Sequence, residues 1–252
     1  MPPRIAIPMP HSTDREYAER AIPQYERAVE RAGGEPIRIP LDQPSAQLMK
    51  LEVLRIMEHC DGVLLPGSNA DVDPAKFGAP RSPRTASADP RRSAIDDLLL
   101  QDAYRLLKPV LGICYGLQSL NVFRTGSLIQ HIPDFLPEGL RARVNHQAGK
   151  NVPVAHAVEI DKDSKLAELL GSRDQHVLPV NSSHHQSTGT IGEGLRISAR
   201  CPDDGIIEAL EATALDHFVL AVQWHPERSI HQDEPSRAIF RALIEAAGAR
   251  RK

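Results

Sequence analysis

The sequence predicts an α/β protein with a mostly parallel central sheet, helices on both of its faces, and additional antiparallel strands in the second half. Three observations carry this. Short Val/Ile/Leu-rich runs alternate with helix-length segments through the first half of the chain. Aliphatic residues dominate, while aromatics are only 4% of the 252 residues, which suits strands buried on both faces. Beyond residue 126 the apolar runs are separated by turns too short for helices, so several of them should pair antiparallel.

"RIAIP" (Arg4–Pro8) reads as the first strand, stopped by proline. A helical segment follows. Ser12 or Thr13 is placed to cap it, with Glu16 completing a capping box. Pro23 predicts a kink or a division into two short helices, and Gly33-Gly34 closes the segment. "EPIRIP" is the next strand, a helix spans roughly 46–59, and Val63-Leu64-Leu65 is a buried strand leading into the loop Pro66-Gly67-Ser68. Residues 75–92, rich in proline and arginine, read as a surface loop or flap. A helix over about 93–107 precedes the strand "PVLGI". Strand alternating with helix implies βαβ units. "GSLIQHI", "AHAVEI", "HVLPVNS", "LRISARC", "IIEALEA" and "FVLAVQW" are the later strands, and the last helix is about 234–247. The length suits one domain over residues 1–252.

Composition excludes some classes of function. A net charge of −3 gives no electrostatic reason to bind nucleic acid or an anionic membrane, and the basic "ARRK" end reads as a solvated tail. No run approaches the roughly 18 apolar residues of a membrane span. Three widely spaced cysteines, Cys60, Cys114 and Cys201, argue against a disulfide framework and for a cytoplasmic protein without a secretion signal.

The chemistry centres on "VLGICYGLQ". Cys114 ends an apolar strand, with Gly112 and Gly116 on either side, and "YGLQSLNVF" is able to start a helix directly after it. A helix N-terminus favours thiolate over thiol, and the N–H of Tyr115 would point toward an oxyanion. The stretch alone leaves two readings open: a small buried cysteine, or a nucleophile on a sharp turn. "VLAVQWHPE" supplies what a nucleophile needs. His225 leaves a strand end, Pro226 shapes the turn, and Glu227 is placed to orient the imidazole.

With these residues in hand, "GICYGLQ" and the downstream "QWHPE" resemble the class I glutamine amidotransferase-like superfamily. "LLPGSNADVDP", "VNHQ", "VNSSHHQ" and "DGIIEALE" resemble its γ-glutamyl-γ-aminobutyrate hydrolase branch, peptidase family C26. The resemblance implies a flavodoxin-like three-layer sandwich and hydrolysis of γ-glutamyl amides, as in putrescine degradation. It implies Cys114 as nucleophile, His225 as general base and acid, and Glu227 as orienting acid. It implies an oxyanion hole from the N–H of Gly67 or Ser68 with that of Tyr115. Gln118, Asn181, Ser182 and His184 are its implied substrate contacts. Three departures stand out: Tyr115 where arginine is frequent, Ser68 where a second glycine is frequent, and Thr125-Gly126 in place of a glycine pair.

The remaining candidates are read structurally. Asn69 and Asp71 should bond their own loop as Asx turns. His184-His185 has no Cys or His partner at zinc-ligand spacing, so no metal is expected, and no other cofactor. Gly192 and Gly194 lack the strand–loop–helix context of a phosphate loop. Cys60 and Cys201 read as inert. Arg91, Arg92 and Asp96 read as a solvated helix face. The expected partner is a small γ-glutamyl substrate; a homodimer is allowed, while nucleic acid and membrane are not expected. A glutaminase subunit feeding a synthetase and a non-enzymatic γ-glutamyl binder are the rival functions.

Overall fold

The computed structural model describes residues 1–43, 45–171 and 176–250; Arg251 and Lys252 of the basic tail lie outside the described residues. The first half is β1 (Arg4–Pro8), α1 (Arg15–Arg31), β2 (Glu35–Ile39), α2 (Ala46–Met57), β3 (Gly62–Leu65), α3 (Pro90–Leu106), β4 (Val110–Ile113) and α4 (Tyr115–Phe123). The second half begins with β5 (Leu128–Ile129), α5 (Ile132–Phe135), α6 (Glu138–Arg141), β6 (His156–Ile160), α7 (Lys165–Leu170) and β7 (Val177–Val180). It ends with β8 (Ser187–Thr188), β9 (Leu195–Arg200), β10 (Ile207–Ala212), β11 (Val219–Val222) and α8 (Glu234–Ala249).

Among the described residues, one sheet has the order β2-β1-β3-β4-β11-β10-β9-β6-β7. β2, β1, β3, β4 and β11 run parallel. From β10 outward every pairing is antiparallel. The expected division between the halves therefore holds, with β11 as the late strand that returns to the parallel part. Its register on β4 pairs Val222 with Ile113, so the two strands end side by side.

Period-2 alternation splits the core between the two faces. Ile5, Ile7, Leu64, Leu111 and Leu220 pack with Ile22 and Val29 of α1 and Ile239 and Leu243 of α8. Ala6, Val63, Leu65, Val110 and Ala221 pack with Val53 of α2, Leu99 of α3, and Leu117 and Leu120 of α4. No helix among the described residues is long and apolar enough to cross a membrane.

Several local expectations are corrected. α1 is capped by Asp14, which accepts from Tyr17 N–H at 3.0 Å, because Ser12 is held by Asp89 77 positions away. Pro23 does not divide the helix; α1 runs through it, held to the sheet by Ala18, Ala21, Ile22, Tyr25, Ala28 and Val29. Asn69 and Asp71 act over distance rather than within their loop. Asn69 donates to Asp14 at 2.7 Å, and Asp71 accepts from Ala86 N–H at 2.6 Å and pairs with His185 at 2.8 Å. The 75–92 segment is pinned, not free: Gln130 accepts from Ser82 N–H at 2.8 Å and from the Thr85 hydroxyl at 2.6 Å.

Arg92 and Asp96 are the largest correction. Neither is solvated; both side chains are 0% exposed and pair at 2.8 Å across one helical turn. The remaining guanidinium nitrogens donate to the carbonyls of Pro10 (3.1 Å) and Pro66 (2.7 Å). The group also lies 4.8 Å from the ring centre of Tyr115. One side chain thereby ties the ends of β1 and β3 to the start of α4.

Removing one partner of a buried pair strands the other charge. Arg92→Met should lower unfolding free energy in urea by roughly 3–5 kcal/mol, and Arg92→Met/Asp96→Leu should recover part of that loss. Equal stability of the single variant and the native chain would contradict the clamp.

Candidate active site

Three neighbouring parallel strands, β3, β4 and β11, end together and deliver Gly67-Ser68, Cys114 and His225 to one cleft edge. Cys114 sits between β4 and α4 at φ 52° and ψ −103°, a conformation that non-glycine residues rarely adopt. The flanking glycines make the turn feasible. A Cβ at Gly112 would come within 2.9 Å of the Gly116 backbone, and one at Gly116 would collide with the Leu65 carbonyl. The elbow is therefore built by close approach of β3, β4 and α4.

Burial opposes the thiolate expected at this helix start. Burial pushes the Cys114 thiol up to about 12 and Glu227 adds to the rise, while Arg228 and the Tyr115 N–H pull the other way. Desolvation outweighs the helix N-terminus here. Cys60 and Cys201 are also buried free thiols, pushed by burial up to about 11 and about 12, in keeping with inert cysteines.

His225 is fixed on both of its sides. Its Nδ1 lies 2.7 Å from Glu227 Oε1, and the two side chains are 4% and 2% exposed. Burial lowers the His225 pKa, against the opposing pull of Glu227. Asn181 holds the backbone of the same residue. It accepts from His225 N–H at 2.9 Å and donates to the His225 carbonyl at 2.9 Å. Its amide also donates to Ser229 Oγ at 3.0 Å.

The other candidates separate into those that face the cleft and those that do not. Ser68 and Gln118 line it; the Gln118 amide donates to the Gln186 carbonyl at 3.3 Å and to Gln223 at 3.2 Å. Gly67 is packed against His225, but its N–H is taken by the Tyr25 hydroxyl at 3.0 Å. Ser68 is thus the better-placed partner for the Tyr115 N–H, which already approaches the Cys114 sulfur. Asn181 is spent on His225, and Ser182 is fully buried and donates to Glu208 at 3.2 Å. Neither lines the cleft. His184 lines the cleft, yet its Nδ1 meets the Gln186 carbonyl at 2.8 Å and its Nε2 meets Glu208 at 3.2 Å. The metal-ligand neighbours it lacks in sequence it meets in space, in His146, His156 and Glu208.

The cleft has a volume of about 700 Å³. Arg20, Arg84, Lys150 and Arg228 line it, a cationic character that the sequence did not signal because the four come from separate segments. Its two lining carboxylates, Asp71 and Glu227, are both already paired to histidines, and Glu227 also to Arg228 at 3.6 Å.

A family model described as Peptidase C26 matches residues 5–227. This chain belongs to the Peptidase C26 family. Among C26-like relatives, a Mycobacterium tuberculosis protein provisionally named a glutamine amidotransferase is 37% identical over 88% of this chain. The chain spans 66% of that relative's length. The γ-glutamyl-γ-aminobutyrate hydrolase of Escherichia coli K12 is 31% identical over 97% of this chain and 93% of its own. In fold, the glutaminase domain of the Trypanosoma brucei CTP synthase, solved with bound acivicin, aligns with TM-score 0.60 at 19% identity, covering 98% of this chain and 94% of that one. The sandwich is thus that of class I glutamine amidotransferases, and the chain is an enzyme of the C–N-hydrolysing kind.

A buried neutral thiol makes a specific prediction for alkylation. The rate of Cys114 modification by iodoacetamide, followed by mass spectrometry, should keep rising through about pH 9. A plateau beginning near pH 6 would mean a preformed thiolate and contradict the dominance of burial.

Proposed function

We propose that this C26 enzyme hydrolyses γ-glutamyl amides through a thioester on Cys114, preferring substrates whose leaving amine carries a carboxylate. The observation that carries it is the 2.7 Å Glu227–His225 contact, which aims the other ring nitrogen into the cleft occupied by the positive-φ cysteine. The hydrolase relatives support the reaction class.

The steps follow from the neutral pair. As Cys114 Sγ attacks the γ-carbonyl, its proton passes to His225, and the forming imidazolium is stabilised by Glu227. The tetrahedral oxyanion is held by the N–H groups of Ser68 and Tyr115. The C–N bond breaks as His225 returns the proton to the leaving amine. Water then attacks the thioester, giving its proton to His225, and glutamate departs as the thiol is restored. A raised thiol pKa suits this concerted transfer, because no buried charge pair need be stored beforehand. Gln118, which lines the cleft, is the proposed contact for the glutamyl group. The cations lining the cleft, of which Arg228 is shared with Glu227 at 3.6 Å, favour an anionic tail such as that of γ-glutamyl-γ-aminobutyrate.

The test is a panel of γ-glutamyl amides with acidic, neutral and basic tails. Acidic tails should exceed basic ones in kcat/KM by roughly tenfold or more, equivalent to about 1.4 kcal/mol. Undiminished turnover by Cys114→Ala, or binding of the whole panel without glutamate release, removes the reading.

Glu227→Gln should lower kcat/KM by roughly 10²–10⁴-fold. Glu227 raises the His225 pKa against burial, so its loss lowers that pKa further. The acid limb of the pH profile, where His225 must be neutral, should therefore move to lower pH. A shift to higher pH would assign that limb to another group.

A further inference from the structure

Behind the cleft wall, four side chains from four separate segments converge. His146 lies in the loop before β6, His156 opens β6, His184 follows β7, and Glu208 stands in β10. Each residue is at most 8% exposed. Glu208 Oε1 lies 3.0 Å from His146 Nδ1, 3.4 Å from His156 Nε2 and 3.2 Å from His184 Nε2. The four donor atoms all fall within 4.8 Å of one another. Four ligands at the usual zinc distances, arranged tetrahedrally, are about 3.3 Å apart along each edge.

Each imidazole also meets an oxygen on its outer side. His146 Nε2 is 2.8 Å from Asp204, His156 Nδ1 is 2.9 Å from the Ala157 carbonyl, and His184 Nδ1 is 2.8 Å from the Gln186 carbonyl. The two carbonyls only accept, so the outer nitrogens of His156 and His184 must carry the proton. A neutral ring then turns a lone pair toward Glu208, whose oxygen offers lone pairs in return. Protonating His146 alone does not relieve His156 or His184. Protonating all three packs three imidazolium rings together, with centroids 4.5 and 4.9 Å from that of His146. Only Glu208 and Asp204 would offset them. A dication at the centre relieves every contact, and with two carboxylates and three neutral imidazoles its charge is balanced.

We propose that His146, His156, His184 and Glu208 form a structural site for a divalent transition metal, with zinc(II) the best-matched ion. Three imidazole nitrogens and one carboxylate oxygen are a borderline-soft donor set of the kind zinc takes. The outer oxygens are the orienting partners that such ligands have, and Ser182 holds the second oxygen of Glu208 at 3.2 Å. Four protein ligands fill the coordination sphere, so the ion ties segments together and takes no part in turnover. The tie reaches the cleft through His184 and through Gln186, whose carbonyl also receives the Gln118 amide. A cavity of about 300 Å³ bordered by His146 and His184 offers an ion a route to the cluster.

The proposal is independent of the substrate reading and is tested without it. The full chain, purified without chelator, is assayed by elemental analysis, then stripped with dipicolinate and returned to zinc(II) chloride. About one zinc per chain is expected, with stripping lowering the melting temperature by roughly 10 °C and zinc restoring it. Glu208→Gln and His156→Ala should lose the metal, while Cys114→Ala keeps it. Should those variants fold poorly, cobalt(II) added to the stripped native chain should give the intense visible bands of a tetrahedral site. A chain that holds no transition metal, takes up neither ion and melts unchanged overturns the site. Loss of metal from Cys114→Ala also overturns it, by placing the ion in the cleft.

Discussion

The guanidinium of Arg92 is buried where the first turn of α3 meets the carboxyl ends of the sheet. It bonds at once to Asp96, to the Pro10 carbonyl beyond β1 and to the Pro66 carbonyl beyond β3, and it lies against the Tyr115 ring. These are the parts that must stay in register for the cleft to exist. Pro66 precedes the Gly67-Ser68 turn, and Tyr115 supplies the first N–H of α4. Arginine suits this place because its planar fork directs several donors at fixed angles, where lysine would present a point charge. Tyr115 departs from the arginine expected after the nucleophile, and its ring here rests on an arginine from another helix. The elbow thus keeps a guanidinium close by, supplied from α3.

Burial governs the chemistry of the site as well as its shape. Cys114, His225 and Glu227 are each nearly excluded from water. That exclusion raises the thiol and lowers the imidazole, so the resting pair is neutral despite the helix N-terminus. In the proposed mechanism charge is created only when substrate arrives, with Glu227 and the backbone N–H groups there to meet it. Asn181 is part of the same preorganisation. By bonding both backbone groups of His225, it fixes the imidazole from behind.

Much of this was legible in the chain itself. The β1, β3, β4 and β11 runs are short, aliphatic and bounded by turn residues, so the strands and their alternation with helices could be read, while their order in the sheet could not. The strand-end positions of Cys114, His225 and Glu227 were legible because glycine or proline lies close to each, which marks where backbone direction changes. The substrate contacts were not. Asn181, Ser182 and His184 lie in one polar stretch near the cleft, and nothing in their order says which way each side chain faces. Two turned inward to His225 and Glu208, and His184 is engaged at both nitrogens. The burial of Arg92 is not legible for a similar reason: a polar residue at a helix start is ordinarily solvated, and only the approach of β1 and β3 encloses it.

The sequence by itself determined the alternation of elements, the elbow at Cys114 and the "HPE" turn, because these depend on local backbone preference and period-2 or helical patterning. Tertiary structure decided everything that rests on residues far apart in the chain meeting in space. The Arg92 clamp spans 82 positions to Pro10. The cationic lining draws on four segments, and the three histidines around Glu208 come from as many stretches. Local patterning encodes burial and turns. It does not encode which oxygen a buried nitrogen will face, and in this protein that pairing sets the contacts of His225 with Glu227 and of three histidines with Glu208.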